Sequence, residues 1–152
     1  MTLTIGSPAP LFTLPDSNGN PISLESLQGK WVVLYFYPRD NTPGCIKEAV
    51  GFRDLQAEFT AKNAIIYGVS TDNAASHNKF ITKLSLPFQL LIDEGGEMSV
   101  GYESYGLKKF MGKEFMGIIR NTVLIAPDGT ISKFYKKVKP ELHPALVLQD
   151  IP

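Results

Sequence analysis

The chain has 152 residues, enough for one domain that buries roughly 70% of the surface exposed by its unfolded form. Fifteen basic residues balance fifteen acidic ones, which argues against a nucleic-acid or acidic-membrane partner. A single cysteine excludes an internal disulfide and argues against a disulfide-stapled secreted scaffold. The N-terminus lacks the pattern of a signal peptide, and no apolar run approaches membrane-spanning length, so we expect a cytoplasmic protein.

The first third of the chain predicts a hairpin, a strand and a helix. The turn-forming cluster at 16–20 indicates a small N-terminal hairpin. Residues 31–37 are apolar, with β-branched and aromatic side chains, and predict a buried strand. Residues 46–59 carry apolar side chains at helical spacing and predict an amphipathic helix. The cysteine, Cys45, therefore lies in the first turn of a helix that follows a central strand.

The rest of the chain continues the alternation of strands and helices. Strands are predicted at 64–70 and 89–93, with a helix between them that Asp72 caps and that ends near residue 84. A brief helix near 97–102 and a long loop at 105–117 follow. The final elements are two strands joined by a hairpin turn (121–126 and 130–137) and a short helix in the tail, which carries Pro144.

This order of elements predicts an α/β fold in which helices cover both faces of a mixed sheet. Neither a repeat nor a linker interrupts the chain, so we expect residues 1–152 to form a single domain.

The start of the helix gives Cys45 the surroundings of an activated thiol. With Thr42 as N-cap, Pro43 takes the first helical position and Cys45 the third, at the positive end of the helix dipole. Thiols in such places reach pKa values of about 3.5–7.5 instead of about 8.5. Lowering a thiol pKa by about 2.5 requires roughly 3.4 kcal/mol, more than a helix end typically contributes. A cation is therefore needed, and Arg120, which precedes a buried strand, is the best candidate.

Other interpretations remain open at this point. Thr-Pro-Gly is also simply a good helix start, and Cys45 then is a small buried apolar side chain in a binding or chaperone module. A cysteine hydrolase or acyl transferase would need His77 to reach Cys45, although the position of His77 on its helix favours solvent exposure. The isolated histidines argue against zinc, and we expect neither a metal nor a cofactor.

Two further groups of residues are assigned structural roles. Ser70, Asp72 and His77 suggest a catalytic triad, but helix capping is favoured because no nucleophile-elbow pattern surrounds Ser70. Lys108 and Lys109 indicate a solvated face. Four residues of the predicted loop are expected to serve in packing: Phe110, Met111, Phe115 and Met116.

The stretch 35–45 (YFYPRDNTPGC) resembles the peroxiredoxin active-site signature Pro-x-x-x-Thr-x-x-Cys. Its Thr-Pro-Gly-Cys, followed by Glu48-Ala49 and the FRD of 52–54, is similar to the peroxiredoxin Q (bacterioferritin comigratory protein) subfamily. The resemblance runs nearly the full length of the chain. Further matching segments follow in order: 9–16, 76–80, 86–88, 112–113 and 117–122.

The resemblance implies a thioredoxin-like fold and a thiol-dependent peroxidase that serves antioxidant defence by reducing hydrogen peroxide and organic hydroperoxides. Cys45 is then the peroxidatic cysteine, which becomes a sulfenic acid. Thr42 would hydrogen-bond the thiolate and the peroxide, Arg120 would lower the thiol pKa and stabilise developing charge, and Pro38 would shield the pocket.

The chain departs from the subfamily at Val50, where a resolving cysteine is often found. We therefore expect a 1-Cys mechanism, in which thioredoxin, glutaredoxin or glutathione reduces Cys45. An engineered valine at this position would look the same. The partners expected are a peroxide and this external thiol, without nucleic acid or membrane. The expected state is a monomer, with a dimer as the alternative.

Overall fold

The computed structural model describes residues 3–152. The strands within this range are β1 Thr13–Pro15, β2 Pro21–Ser23, β3 Trp31–Phe36, β4 Ala64–Ser70, β5 Leu90–Ile92, β6 Tyr105–Phe110, β7 Lys113–Ile118, β8 Thr122–Ile125 and β9 Ile131–Tyr135. The α-helices are α1 Pro43–Asp54, α2 Gln56–Ala61, α3 Ala74–Leu84, α4 Glu97–Gly101 and α5 His143–Asp150. Short 3₁₀ helices lie at Leu24–Leu27 and Glu94–Gly96.

A mixed five-stranded sheet in the order β5-β4-β3-β8-β9 forms the centre of the molecule. Strand β3 pairs in parallel with β4 and antiparallel with β8. Alternate side chains of β3 enter two apolar clusters, Val32 and Leu34 on one face and Val33 and Tyr35 on the other. Helices α1, α2, α3 and α5 contribute to the second cluster and α4 to the first, so helices cover both faces, as predicted.

The pairing of β3 with β8 determines where the site lies. Tyr35 near the carboxyl end of β3 is paired with Thr122 at the start of the antiparallel β8. The backbone N–H of Phe36 also donates to the carbonyl of Asn121 at 2.8 Å. The segment that enters β8 therefore lies beside the loop that leaves β3 and leads into α1.

Most predicted elements are confirmed, with small shifts at their ends. Strand β4 occupies 64–70, and the β1–β2 and β8–β9 hairpins form as expected. The helix predicted at 46–59 is two helices that meet at Leu55, with the first beginning at Pro43. The cap of α3 was assigned one residue early, since the side chain of Asn73, not that of Asp72, accepts from the backbone N–H of Ser76.

The loop predicted at 105–117 is wrong, because β6 and β7 form an antiparallel hairpin there. Its two-residue turn consists of Met111 at φ 51° and Gly112 at φ 78°, and positive φ at both positions is what a tight hairpin turn requires. The predicted packing role of Met111, Phe115 and Met116 is also wrong, since all three are exposed. The side chain of Phe110 lies outside the described part of the structure.

Within residues 3–152, every helix is too short or too polar to cross a lipid bilayer.

Candidate active site

Cys45 is the third residue of α1 and is almost completely buried, with 1% of its surface exposed. Thr42 takes the N-cap position in an extended conformation, and Pro43 follows it as the first helical residue. The sulfur therefore lies at the end of the helix where backbone N–H groups lack intrahelical partners and the dipole is positive. This placement agrees with the sequence prediction.

Arg120 contacts Cys45 from a distant part of the chain. Its Nη2 lies 3.3 Å from the Sγ of Cys45, and its Nη1 donates to the Oε1 of Glu48 at 2.8 Å. Burial lowers the pKa of Arg120, but the charges of Cys45 and Glu48 and the hydrogen bonds to both raise it more, so the net pKa lies above its ordinary value. The guanidinium of Arg120, which is always positively charged, therefore contacts both a thiol and a carboxylate.

Glu48 is a member of the site that the sequence analysis did not single out. It lies one helical turn after Cys45, is completely buried, and forms an ion pair with Arg120. Burial raises its pKa to about 7, and Arg120 limits the rise. Its second oxygen, Oε2, has no hydrogen-bond partner among the described residues. The signal was available, because a glutamate among the apolar side chains of one helix face needs a partner.

Two more groups near the site were missed or misplaced. Lys108 of β6 is half-buried, and its ammonium donates to the carbonyl of Ile118 at 2.9 Å. Burial and the charge of Arg120 lower the pKa of Lys108, against the charge of Cys45, so this lysine is not on the solvated face predicted for it. The phenol of Tyr35 is buried without a partner among residues 3–152. Burial, and then the charges of Glu48, Cys45 and Asp40, raise the pKa of Tyr35 well above its ordinary range.

The hydroxyl of Thr42 donates to the backbone carbonyl of Arg39 at 2.9 Å. In this rotamer the proton is not directed at Cys45, while the oxygen keeps free lone pairs that can accept a hydrogen bond. Pro38 is half-buried and lies two residues after the end of β3. The roles expected for Thr42 and Pro38 toward sulfur and peroxide stay predictions.

Gly44 allows the guanidinium to approach the start of α1. A Cβ at this position would lie 3.1 Å from the Nη2 of Arg120 and 3.6 Å from the Cγ of Pro140. Because the first contact is tighter than most real Cβ contacts, a side chain here would require the guanidinium of Arg120 to shift by a few tenths of an ångström.

Both histidines, His77 and His143, are hydrogen-bonded to groups other than Cys45. The prediction that His77 is exposed is wrong, since it is completely buried. Its ring nitrogens contact the carboxylate of Asp40 and the carbonyl of Leu91, so they are not available to Cys45 as the hydrolase interpretation requires. The Nε2 of His143 is hydrogen-bonded to the hydroxyl of Thr122, and burial lowers the pKa of His143 to about 4.

Comparison with known proteins decides the family. The model of the AhpC/TSA family matches residues 5–134. The chain belongs to the AhpC/TSA family. It is 47% identical over 149 residues to a putative peroxiredoxin bcp of Helicobacter pylori, and the match covers 98% of both chains. It is 44% identical over 151 residues to peroxiredoxin Bcp of Bacillus subtilis, and that match covers 99% of this chain and 96% of the other.

Solved structures give the same assignment. Bacterioferritin comigratory protein of Xanthomonas campestris superposes with a TM-score of 0.87 at 35% identity, over 92% of this chain and 89% of that one. The PrxQ of Xylella fastidiosa, as a mutant with serine in place of one cysteine, gives a TM-score of 0.92 at 31% identity, over 98% and 95% of the two chains. The resemblance and the thioredoxin-like fold are thereby confirmed, and the chain is a thiol-dependent peroxidase of the peroxiredoxin Q type.

This peroxiredoxin has a single cysteine in its whole sequence. The position five residues after Cys45 is Val50, which is half-buried in α1. On an ideal helix the Cα atoms of residues five apart are roughly 8–9 Å from each other, beyond disulfide reach. The packing of Gly51 against Pro144 of α5 further holds this part of α1 in place.

Proposed function

We propose that Cys45 is the peroxidatic cysteine of this enzyme and that Arg120 activates it. One observation carries the proposal, the 3.3 Å contact between the Nη2 of Arg120 and the Sγ of Cys45 at the N-terminus of α1. A charge-assisted hydrogen bond of this kind stabilises a thiolate more than a neutral thiol. The guanidinium therefore supplies the stabilisation that the helix end alone does not provide.

In the reaction, the thiolate of Cys45 attacks one oxygen of a hydroperoxide. An S–O bond forms as the O–O bond breaks, the sulfur is oxidised by two electrons, and the second oxygen leaves as water or an alcohol after taking up a proton. Negative charge develops on the leaving oxygen, where the positive charge of Arg120 acts most strongly. The Oγ1 of Thr42 accepts a hydrogen bond from the bound peroxide, and Pro38 restricts water at the rim.

The second half of the cycle depends on an external thiol. A thiolate from the reductant attacks the sulfenic acid of Cys45, an S–S bond forms, and the oxygen leaves as water. A second thiol then attacks this mixed disulfide and restores Cys45. We propose thioredoxin, glutaredoxin or glutathione as the donor, since the chain holds no second cysteine. A cytoplasmic location, a single domain and a monomeric state remain predictions.

Sulfenic acid trapping tests this proposal directly. The reduced protein is given a near-stoichiometric dose of hydrogen peroxide with a carbon nucleophile that captures sulfenic acids, and the adduct on Cys45 is measured by mass spectrometry. The matched control is the same protein unfolded in urea, which carries the same thiol without the site. We expect a nearly complete adduct in the folded protein and little in the control. A folded protein that remains unmodified would instead be an inert thioredoxin-like module.

The reductant is identified by adding thioredoxin, glutaredoxin or glutathione separately to the peroxide-treated protein. The productive donor forms a mixed disulfide with Cys45 and regenerates the thiol through repeated turnovers. If none of the three restores the thiol, the assignment of the reductant is wrong, although the first half of the cycle stands.

A further inference from the structure

The carboxylate of Asp40 is the centre of a buried network that the proposed reaction does not use. Asp40 lies between β3 and α1, two residues before Thr42. Its side chain is 3% exposed and accepts hydrogen bonds from Tyr37 at 2.6 Å and from Ser76 at 2.8 Å, and it contacts the Nδ1 of His77 at 2.7 Å. The histidine is completely buried as well.

This network ties the loop before Cys45 to the rest of the fold. The backbone N–H of Asp40 donates to the Oδ2 of Asp72 at 2.8 Å, and the same oxygen accepts from the hydroxyl of Ser70. Tyr37 directly follows β3, Asp72 lies two residues after β4, and Ser76 and His77 belong to α3. Elements on three sides thus position the segment that carries Thr42.

The hydrogen-bond partners of His77 define its protonation. Its Nε2 lies 2.9 Å from the carbonyl oxygen of Leu91, which can only accept, so Nε2 carries a proton. Its Nδ1 faces a carboxylate that already accepts from two hydroxyl groups. A carboxylate that accepts from two hydroxyl groups also accepts from Nδ1 when this nitrogen carries a proton. With a proton on both ring nitrogens, His77 is an imidazolium and the pair with Asp40 has no net charge.

The same residues come close together in the manner of a metal site. One ligand atom each from Asp40, Asp72 and His77 lies within 4.8 Å of the others. Both ring nitrogens of His77, however, are used in hydrogen bonds, and a nitrogen that carries a proton offers no lone pair to a metal ion. The three residues therefore form a hydrogen-bond network.

The charge of Asp40 matters because this buried residue lies five positions before Cys45, in the loop that leads into α1. The charges of both residues, with that of Glu48, raise the pKa of Tyr35 after the effect of burial. An uncompensated carboxylate at Asp40 would therefore oppose formation of a thiolate at Cys45. In general, at an effective dielectric constant of about 20, a unit charge about 10 Å from a titrating group shifts the midpoint of that group by roughly one pH unit.

We propose that His77 is a positioning residue for the peroxidase reaction, which compensates the charge of Asp40 so that this carboxylate anchors the active-site loop without repelling the thiolate of Cys45. The inference deepens the proposed function, and rests on Cys45 reacting as a thiolate. It acts through Asp40 and requires no contact between His77 and the sulfur.

The test distinguishes the loss of the positive charge of His77 from the loss of one hydrogen bond to Asp40. His77→Gln removes the positive charge, whereas the matched control Ser76→Ala removes one neutral donor from the same carboxylate oxygen. The thiolate absorbance of Cys45 is titrated in each variant. We expect His77→Gln to move the midpoint to higher pH by roughly one unit and Ser76→Ala to move it far less.

The double variant Asp40→Asn/His77→Gln separates the electrostatic role from a structural one. With both charges removed, the thiolate midpoint should return most of the way to that of the wild type. A midpoint that stays shifted in the double variant, or that never moves in His77→Gln, overturns the proposal.

Nuclear magnetic resonance of the His77 ring nitrogens in the unmodified protein gives an answer even if His77→Gln does not fold. We expect both nitrogens to be protonated at pH 7, and a neutral ring contradicts charge compensation. Neither the titration nor the resonance measurement depends on peroxide turnover, so this inference can fail while the peroxidase assignment holds, and the reverse.

Discussion

Arg120 donates from its Nη2 to the Sγ of Cys45 at 3.3 Å, although the two residues are 75 positions apart in the sequence. The antiparallel pairing of β8 with β3 produces this contact, because it places the segment before β8 beside the loop that leaves β3. The other terminal nitrogen, Nη1, donates to the carboxylate of Glu48, so one guanidinium contacts two acidic groups. The reactivity of the Cys45 thiol therefore depends on how strongly the positive charge of Arg120 interacts with the thiol and how strongly with Glu48.

Removal of Arg120 should affect both the ionisation and the reactivity of Cys45. In Arg120→Gln, we expect the thiolate titration to move to higher pH and the rate of reaction with peroxide at pH 7 to fall about 10²–10³-fold, the usual loss for one electrostatic donor. Thiolate absorbance and stopped-flow kinetics measure the two effects. The control is Arg39→Gln, which removes an exposed arginine of the loop between β3 and α1 and should change the rate much less. Equal losses in both variants would show that only overall charge matters.

Glu48 should give the stability of the protein an unusual dependence on pH. Its pKa in the folded protein is about 7, raised from 4.5, so its contribution to stability is present below about pH 4.5 and is lost as the pH rises through 7. Relative to the wild type, Glu48→Gln should therefore gain stability between pH 5 and pH 8, on the order of 2–3 kcal/mol. Urea unfolding of both proteins across this range measures the difference.

The wild type is compared with Glu48→Gln because titration of His143 changes the stability of the protein in the opposite direction. Its pKa is lowered by burial from 6.5 to about 4, so its contribution to stability is present above pH 6.5 and lost as the pH falls through 4. The two residues offset each other over much of this range in the wild type. A constant difference between Glu48→Gln and the wild type from pH 5 to pH 8 would contradict the assignment to Glu48.

Two glycines of α1 should respond differently to alanine. In Gly44→Ala the new Cβ meets the guanidinium of Arg120 at 3.1 Å, so we expect a loss of peroxide reactivity with little loss of stability. In Gly51→Ala the new Cβ meets Pro144 of α5 at 2.8 Å, so we expect a loss of about 1–3 kcal/mol in stability. Unfolding and stopped-flow measurements on both variants check the pattern. The reverse pattern would argue against the positions assigned to Arg120 and α5.

The hydroxyl of Thr42 should matter for reactivity more than for the helix. Among the described residues it bonds to the carbonyl of Arg39 and makes no cap bond to α1. Thr42→Val should therefore cost less than the roughly 1 kcal/mol typical of a lost N-cap, while the peroxide rate falls clearly. Thr42→Ser keeps the hydroxyl and should restore most of the rate. If serine is as slow as valine, the hydroxyl is not the group that acts.

The sequence predicted the position of Cys45 well because its signals are local. Thr42, Pro43 and the apolar spacing after them define a helix start within a few residues. Strand β4 was equally clear, since a continuous apolar run bounded by polar residues is typical of a buried parallel strand.

The predictions from sequence failed where contacts between residues far apart in the sequence determine the structure. Nothing near His77 in the sequence indicates that Asp40, 37 positions earlier, faces it. Glu48 was overlooked because its partner, Arg120, is brought to it by sheet pairing. The β6–β7 hairpin was missed because Met111 occupies a turn position that usually holds asparagine or aspartate, and its glycines interrupt the alternation of the strands.

The rate constant for reaction of the reduced protein with hydrogen peroxide, measured by stopped flow at pH 7, tests the central claim most directly. Electrostatic stabilisation of the leaving oxygen by Arg120 contributes about 10²–10³-fold, so the account predicts a rate constant at least ~10² times that of free cysteine. A rate constant no greater than that of free cysteine would contradict the assignment of Cys45 and Arg120 as a peroxide-reducing pair.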